Sequence, residues 1–392
     1  MRRLSFGAVA LCAVVTACAD QGSEPTTATR STAAPLFSAQ GNAIDNSYIV
    51  VLNDGANPRS VAAIAGVNPH YVYTAAVNGF SAELNQGQLN ALQHNPNVAY
   101  VEQDAEMLAT TTQSGATWGL DRLDQRALPL NTTYNYGNTG AGVTAYIVDT
   151  GILFAHTEFG GRAVKGYDAV TANGTAQDCN GHGTHVAGTV GGSTYGVAKG
   201  VSLVAVRVLD CNGSGSTAGV IAGVDWVANN AVKPAVANMS LGGGASTTLD
   251  NAVKNAIARG VTFGVAAGNG NFIGIAQDAC KSSPARVPEA ITVGATDKTD
   301  TKASWSNYGA CVDFFGPGVG ITSSWYTSST ATNTISGTSM ATPHVVGVAA
   351  LYVQSNPTAT PQQVRDALFA NTTKNVVKNS KTTNAHLLFS NY

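Results

Sequence analysis

Three short, glycine-rich stretches decide the fold of this 392-residue chain: Val148-Asp149-Thr150-Gly151, Gly181-His182-Gly183-Thr184-His185 and Gly337-Thr338-Ser339-Met340-Ala341-Thr342-Pro343. They place one aspartate, one histidine and one serine in that order along the chain. A serine hydroxyl is a weak nucleophile until an imidazole removes its proton, and a carboxylate fixes the tautomer of that imidazole. The stretches therefore predict a triad in which Ser339 attacks, His182 is general base and then general acid, and Asp149 orients His182.

The neighbourhoods of His182 and Ser339 leave one alternative open. Both residues open predicted helices, and a serine there gains from free backbone N–H groups and the positive end of the helix dipole. Pro343 is compatible with the second helix because it is expected in the first turn. His185 is nearly one helical turn after His182, so the two could instead share a face and bind a metal ion. No third ligand is evident near them in the sequence.

Asn269, which follows Ala266-Ala267-Gly268, is a candidate for stabilising negative charge. An asparagine amide donates a hydrogen bond while staying neutral. We therefore pair Asn269 with the backbone N–H of Ser339 as a predicted oxyanion hole.

The composition allows a large core and excludes a nucleic-acid partner. Hydrophobic residues make up 44% of the chain, charged residues 11%, and the net charge is −2. Without a basic excess, the chain has no means of releasing counterions from a nucleic acid. The length predicts one large domain or two unequal domains.

Residues 1–19 have the pattern of a signal peptide, because Arg2 and Arg3 precede an apolar run too short to span a membrane. Ala17-Cys18-Ala19 fits an ordinary signal peptidase site. Val15-Thr16-Ala17-Cys18 instead resembles a bacterial lipobox, which would make Cys18 a lipid-modified N-terminus. Both alternatives predict export, and no later segment is apolar enough for a transmembrane span. Residues 20–41, rich in Thr, Ser, Ala and Pro, are predicted to be a disordered linker.

Residues 42–110 predict a small α+β domain. Strand-like and helix-like stretches follow one another in the order β-α-β-β-α-β: Tyr48–Leu52, Pro58–Ala65, Tyr71–Tyr73, Phe80–Leu84, Gln86–His94 and Val98–Glu102. This order is typical of a ferredoxin-like fold.

Residues 111–392 predict an α/β domain with a doubly wound, mainly parallel sheet. Apolar strands are predicted at Val143–Val148, Leu203–Val208, Ala235–Met239, Val261–Ala266 and Ala290–Val293. Helices are predicted between them at His182–Gly192, Thr217–Asn229, Thr247–Arg259 and Ser339–Gln354. Ligands bind at the C-terminal ends of the strands in such sheets, and Asp149 ends the first of these strands.

Together these stretches resemble the subtilase family, in particular its proteinase K branch and the aqualysin group within it. The order Asp, His, Ser is that of subtilisin and differs from the order in chymotrypsin and the α/β-hydrolases. The resemblance runs from about Trp118 to at least Pro361 and includes Cys211-Asn212-Gly213-Ser214-Gly215 and Asn238-Met239-Ser240-Leu241-Gly242-Gly243-Gly244. It implies an exported serine endopeptidase that is synthesised as an autoprocessing zymogen.

The resemblance also implies roles for both domains. Residues 42–110 would be an inhibitory propeptide, cleaved near Thr110, and residues 111–392 the catalytic domain. An extended protein or peptide substrate would bind along residues Gly213, Ser214, Gly215, Ser240, Leu241, Gly242, Ala266 and Gly268. Because these motifs carry no nearby charge, we expect broad specificity with an apolar preference before the scissile bond. Thr217 replaces a bulkier aromatic of proteinase K, which would open a more distant subsite. A monomer is expected.

Four cysteines lie beyond the N-terminal segment, and four cysteines allow three pairings. Export favours disulfides over free thiols. The resemblance to the aqualysin group implies the pairs Cys179–Cys211 and Cys280–Cys311.

The resemblance further implies structural Ca²⁺ and no catalytic cofactor. Pro288, Ala290 and Asp313 match one calcium site of the proteinase K branch, the first two through carbonyl oxygens. Asp121, Asp124 and Gln125 resemble a further site of the aqualysin group. The stretch Gly270–Asp278 is longer than in that group and is expected to alter substrate access or local calcium binding.

Two other functions are compatible with this family. A catalytically silent binding protein would require a broken triad or oxyanion residue, and none is broken here. A triad hydrolase of simple esters is the second alternative, although an extended peptide cleft has no purpose for small esters. Comparing rates on a peptide amide and a simple ester separates the last alternative from a peptidase.

Overall fold

The structure, a computed structural model, describes residues 33–39, 43–105, 107 and 110–392. The predicted signal peptide (1–19), the lipid site at Cys18 and residues 20–32 of the predicted linker lie outside these ranges. The chain divides into two compact units, the first ending at Glu106 and the second running over Met107–Tyr392. This division falls slightly before the predicted domain boundary at residues 110 and 111.

The first unit has the predicted ferredoxin-like element order. Its elements are β1 (Leu36–Phe37), β2 (Ala43–Leu52), α1 (Pro58–Ile64), β3 (Tyr71–Tyr73), β4 (Gly79–Glu83), α2 (Gln86–Gln93) and β5 (Val98–Ala105). They form one sheet in the order β1-β5-β2-β4-β3, in which β2 pairs antiparallel with both β4 and β5. Val50, Phe80 and Val101 are fully buried in its core. The α2 helix begins with a capping box between Asn85 and Gln88.

The end of the predicted disordered linker is ordered in the structure. Leu36 and Phe37 form β1, which pairs parallel with Val101 and Glu102 of β5. The Phe37 ring packs edge-on against Tyr100, with 5.5 Å between ring centroids. Two apolar residues in a polar segment can thus cover the otherwise unpaired edge of β5. The overall composition of residues 20–41 concealed this local signal.

The second unit contains thirteen strands and six α-helices among its described residues. Its strands are β6 (Thr111–Ser114), β7 (Thr133–Tyr136), β8 (Thr144–Asp149), β9 (Ala163–Asp168), β10 (Ser202–Arg207), β11 (Ala235–Met239), β12 (Gly243–Gly244), β13 (Val261–Ala266), β14 (Ser282–Ser283), β15 (Ile291–Thr296), β16 (Phe314–Pro317), β17 (Ile321–Ser324) and β18 (Thr332–Ile335). Its helices are α3 (Trp118–Leu123), α4 (His182–Gly191), α5 (Thr217–Asn230), α6 (Thr247–Ala258), α7 (Thr338–Ser355) and α8 (Pro361–Asn371).

A seven-stranded parallel sheet, in the order β16-β15-β13-β11-β8-β10-β9, forms the centre of this unit. The prediction of a doubly wound α/β fold is therefore confirmed. The predicted strands are present with shifts of one to three residues at some ends. Edge strands β9 and β16, the six short strands outside this sheet and helices α3 and α8 were not predicted. Lys165 and Gly166 interrupt the apolar pattern of β9, which is solvent-exposed along part of its length.

The alternation of side chains along β8 shows how both faces of the sheet are covered. Ala145 and Ile147 pack in a cluster with residues of α4 and α7. Tyr146 and Val148 point the other way and pack with residues of α5 and α6. Successive residues of a strand face opposite sides, so β8 is buried on both. Asp149 continues this buried strand to its C-terminal end, which positions its carboxylate at the edge of the sheet.

Among the described residues, no helix combines the length and the apolar character that crossing a membrane requires.

Candidate active site

Asp149 and His182 are in direct contact at the C-terminal edge of the sheet. The Asp149 side chain is fully buried, and its Oδ1 accepts a hydrogen bond from His182 Nδ1 at 2.8 Å. The second carboxylate oxygen lies 3.0 Å from the same nitrogen. Thr150 N also donates to Asp149 Oδ1, at 2.7 Å. These contacts fix the ring so that Nε2 is free to act as a base.

The Asp178 carboxylate holds the turn that leads to His182. Its Oδ1 accepts from Thr150 Oγ1, Asn180 N and Gly181 N, each at 2.9 Å. Its Oδ2 accepts from Thr184 N at 2.9 Å and from Thr184 Oγ1 at 2.6 Å. A carboxylate at a helix N-terminus satisfies free backbone donors. Asp178 therefore links the start of α4 to Thr150, which directly follows Asp149.

The charges around His182 favour its protonated form. Burial disfavours a charged ring, but the Asp149 carboxylate, the hydrogen bond to it and the Asp178 carboxylate outweigh burial and raise the pKa of His182. A raised pKa makes the imidazole a stronger base toward a hydroxyl. The side chain remains 26% exposed, so a substrate can reach it.

Ser339 lies in the first turn of α7 and exchanges hydrogen bonds with Ser240. Ser339 Oγ donates to Ser240 O at 3.1 Å, and Ser240 Oγ donates to Ser339 O at 2.8 Å. Contrary to expectation, Pro343 lies beyond the first turn, because α7 begins at Thr338. Proline cannot donate to the carbonyl four residues earlier, which is Ser339 O. Ser240 Oγ replaces that missing donor, and this explains why the helix tolerates Pro343.

The orientation of the Asn269 amide is set by Thr338. Asn269 Oδ1 accepts from Thr338 N and from Thr338 Oγ1, both at 2.8 Å. The amide nitrogen must therefore point to the opposite side. A methyl group built on Gly337 would lie 3.4 Å from Asn269 Nδ2 and 3.5 Å from Ser339 N. Both nitrogens thus lie near one point beside Gly337, and an oxyanion hole requires such closeness of two donors.

Two adjacent pockets contain all the residues predicted to bind substrate. A pocket of about 540 Å³ is lined by His182 and Ser240 together with Gly213, Ser214, Gly215, Leu241 and Gly242. A second pocket, of about 270 Å³, is lined by Asn269 and Ser339 together with Leu241, Gly242, Ala266 and Gly268. Leu241 and Gly242 belong to both pockets, so one continuous surface runs past His182 and Ser339. Thr217 also lines the larger pocket.

His185 does not join the contact between Asp149 and His182. It is fully buried, and its Nε2 lies 3.0 Å from Ile321 O. Burial lowers the pKa of His185 to about 4, so its ring is neutral. Within the described part of the chain, no group of three His, Cys, Asp or Glu side chains is placed to hold a metal ion. These contacts favour the structural interpretation of His185 over metal binding.

The structure contains two disulfides, Cys179–Cys211 and Cys280–Cys311. The first connects the turn before α4 to the loop that carries Gly213 in the larger pocket. Asn180 Nδ2 reinforces this connection by donating to Cys211 O at 3.1 Å. Chain-entropy arguments give each closed loop roughly 3–4 kcal/mol of stabilisation.

The first predicted calcium set does not fit the contacts in the structure. Pro288 and Ala290 would contribute carbonyl oxygens, and Asp313 the only charged ligand. Asp313 Oδ1 instead accepts a hydrogen bond from Arg365, and Asp313 Oδ2 accepts from Thr292 N at 2.8 Å. Both oxygens therefore already have partners, and one of these partners is a cation.

The second predicted set fits a cation better, because its carboxylates are not paired with a cationic side chain. Asp121 Oδ1 accepts from Gln125 Nε2 at 2.6 Å and its Oδ2 from Thr132 N at 2.7 Å, and Asp124 Oδ2 accepts from Asn135 N at 2.7 Å. Asp124 Oδ1 is buried and has no hydrogen-bond partner among the described residues. Burial raises the pKa of Asp124, and the negative charge of Asp121 adds to the effect. An unpartnered carboxylate oxygen beside a second carboxylate suits a hard cation such as Ca²⁺.

Three residues that organise the site were not singled out from the sequence as functional. Thr150 and Thr338 lie beside Asp149 and Ser339 inside the quoted motifs. Their position in the motifs could therefore have identified them as functional. Asp178 lies outside those motifs, and no local pattern signals its link to Thr150.

Comparisons with known proteins agree with this geometry. Residues 140–387 match the Subtilase family, and residues 63–109 match the family Peptidase inhibitor I9. An extracellular serine proteinase of Thermus sp. (strain Rt41A) is 58% identical over 381 residues, which cover 91% of this chain and 92% of that protein. An alkaline serine exoprotease A of Vibrio alginolyticus is 52% identical over 336 residues, covering 84% of this chain and 62% of that protein.

A crystal structure of a cold-adapted subtilisin-like serine proteinase superposes with a TM-score of 0.69 at 58% identity, covering 71% of this chain and 100% of that one. The family match spans more than half of the chain, and it includes the ends of β8, α4 and α7 at which Asp149, His182 and Ser339 stand. On these grounds the chain belongs to the subtilase family and is a serine endopeptidase preceded by an I9 inhibitor domain.

Proposed function

We propose that this endopeptidase hydrolyses peptide bonds through an acyl-enzyme formed on Ser339, with Asp149, His182 and Asn269 as the other catalytic groups. The contact of the buried Asp149 carboxylate with His182, next to the pocket lined by Ser339 and Asn269, carries this proposal. A binding protein of the same fold would have no need for an imidazole oriented by a buried carboxylate.

Acylation begins when the Ser339 hydroxyl turns from Ser240 O toward His182 Nε2. His182 accepts the proton while Ser339 Oγ attacks the carbonyl carbon, and Asp149 stabilises the imidazolium that forms. The carbonyl oxygen becomes an oxyanion and accepts from Asn269 Nδ2 and Ser339 N. The tetrahedral intermediate collapses as His182 protonates the leaving amine. A water molecule then repeats the sequence and releases the acid.

The pocket walls support broad specificity with an apolar preference. Ala266, Gly268 and Gly242 line the smaller pocket and present no charged side chain to a substrate. Gly213 and Gly215 keep the edge of the larger pocket clear, so an extended chain can bind there through its backbone.

The proposal extends to maturation and export. Residues 42–110 serve as the chain's own inhibitor, and the enzyme cleaves itself near Thr110. The mature protein is a monomer outside the cytoplasm, either free or anchored through a lipid at Cys18. A calcium ion would be held by Asp121, Asp124 and Gln125, where it would neutralise the charge of the two carboxylates and stabilise the loop after α3.

Intact mass of the wild-type protein beside its Ser339→Ala variant tests this proposal, with both incubated in calcium. We expect the wild type to shorten to a species that starts near Thr111 and hydrolyses a peptide amide, while the variant stays full length. Full-length, folded and inert protein in both samples would contradict the proposal. Equal trimming of both would assign the processing to another protease. The role of Ser339 would then be tested by the amide assay alone.

A further inference from the structure

The loop after Asn269 exposes three large apolar side chains. Phe272 is 98% exposed, Ile273 63% and Ile275 56%. We call these three residues the apolar tip. Single exposed apolar residues are ordinary on protein surfaces, whereas a contiguous group indicates a site of contact.

The loop holds the apolar tip in a defined conformation. Asn271 Oδ1 accepts hydrogen bonds from Ile273 N at 3.2 Å and Ile275 N at 3.0 Å, and Asn271 N donates to Ile275 O at 2.9 Å. Gly270 has a φ of +83°, and a Cβ there would lie 2.6 Å from Ile275 O. The close approach therefore requires glycine. A preorganised apolar group loses little entropy when it binds a partner.

The stem of the loop is fixed to the active site by one buried side chain. Asn307 Oδ1 accepts from Gly270 N at 3.0 Å and from Gln277 N at 2.8 Å, which closes the stem. Asn307 Nδ2 donates to Ala267 O at 2.8 Å, in the segment that leads to Asn269. Asn307 thus ties the loop to the wall of the smaller pocket.

The loop that carries the apolar tip begins at the rim of that pocket. Gly270 lines it together with Asn269 and Ser339. Phe272 follows Gly270 by two residues, so their Cα atoms are at most about 7 Å apart. A polypeptide that leaves the pocket past Gly270 would run beside the tip.

We propose that the apolar tip is an additional substrate-contact surface, which binds an apolar side chain of a polypeptide outside the residue held in the pocket. This inference rests on the proposed endopeptidase function and adds a preference to it. The continuity of the tip with the pocket identifies the occupant as the substrate chain. Substrates too short to reach the rim gain nothing from the tip, whereas long apolar segments bind more tightly.

Steady-state kinetics on three substrates test the inference. Two ten-residue internally quenched peptides share the residue before the scissile bond, one flanked by Leu and Phe and the other by Ser. The third substrate is a four-residue anilide. The double variant Phe272→Ser/Ile273→Ser is compared with Val232→Ser, which alters a residue that is 67% exposed outside the loop and both pockets.

We expect the double variant to lower kcat/KM on the apolar-flanked peptide about 10-fold, mainly through KM, since it loses part of the burial of one apolar side chain. Rates on the other two substrates stay within a factor of about two, and Val232→Ser changes none of them.

Equal losses on all three substrates would overturn the inference, because they would show a structural role. Unchanged rates on the apolar-flanked peptide would also overturn it. In that case, tip-dependent binding of the Ser339→Ala variant to phosphatidylcholine vesicles or to a second copy of the chain would assign the tip to a different partner. If the wild type cleaves the anilide and the double variant matches it on the apolar-flanked peptide, only this inference is refuted. A wild type that cleaves no amide refutes the proposed function as well.

Discussion

Replacing Asp178 by asparagine tests how strongly one carboxylate supports His182, the proposed general base. The carboxylate accepts three hydrogen bonds at Oδ1 and two at Oδ2. An asparagine has a single acceptor oxygen, and its NH₂ group would face donors on the other side. The best orientation keeps the bonds from Thr150, Asn180 and Gly181 and loses both bonds from Thr184.

The cost follows from the two bonds lost. Hydrogen bonds to a charged acceptor contribute about 1.5–3 kcal/mol each, so Asp178→Asn should destabilise the catalytic unit by about 3–6 kcal/mol. For a domain of this size, a loss of that magnitude lowers Tm by roughly 10 °C.

The same variant should change the pH dependence in a definite direction. The Asp178 charge is one of the groups that raise the pKa of His182. Removing that charge lowers this pKa, so His182 stays neutral to lower pH. Since the general base must be neutral, the acid limb of kcat/KM should move to lower pH.

Thermal scans and pH–rate profiles on a peptide anilide measure both effects. Asp225→Asn is the matched control, because it removes the same charge from an exposed residue of α5. A Tm within about 1 °C of wild type would refute the argument about Thr184. A shift of the acid limb to higher pH would refute the argument about charge.

Three further predictions concern other parts of the site. Asn269→Ala should lower kcat about 10²- to 10³-fold with little change in KM, the known cost of removing such a donor from a subtilase, and single-turnover kinetics check this. Thr338→Val removes one of the two bonds that orient Asn269 and should lower kcat by about 5- to 10-fold, whereas Thr338→Ser should not. Calcium should raise Tm in the wild type and less in Asp124→Asn, because the unpartnered oxygen loses its charge; equal calcium shifts in calorimetry would contradict this.

The motifs predicted the site residues because each motif contains its own local chemistry. Asp149 ends an apolar strand, and His182 and Ser339 follow glycines at helix starts, so their placement at one sheet edge follows from the parallel topology. The core strands were recognisable since residues buried on both faces form continuous apolar runs. Edge strand β9 lacks such a run, and β1 consists of only two residues, so periodicity did not reveal them.

The α/β class, the order of the chemical groups and the strand and helices that carry them all follow from local patterns in the sequence. Only the tertiary structure decided that Ser240, a hundred residues away in the chain, supplies the donor that Pro343 removes from Ser339 O. It alone also decided that Asn307 closes the loop after Asn269. Hydrogen bonds between residues so far apart depend on how the elements pack, and no local pattern records that packing.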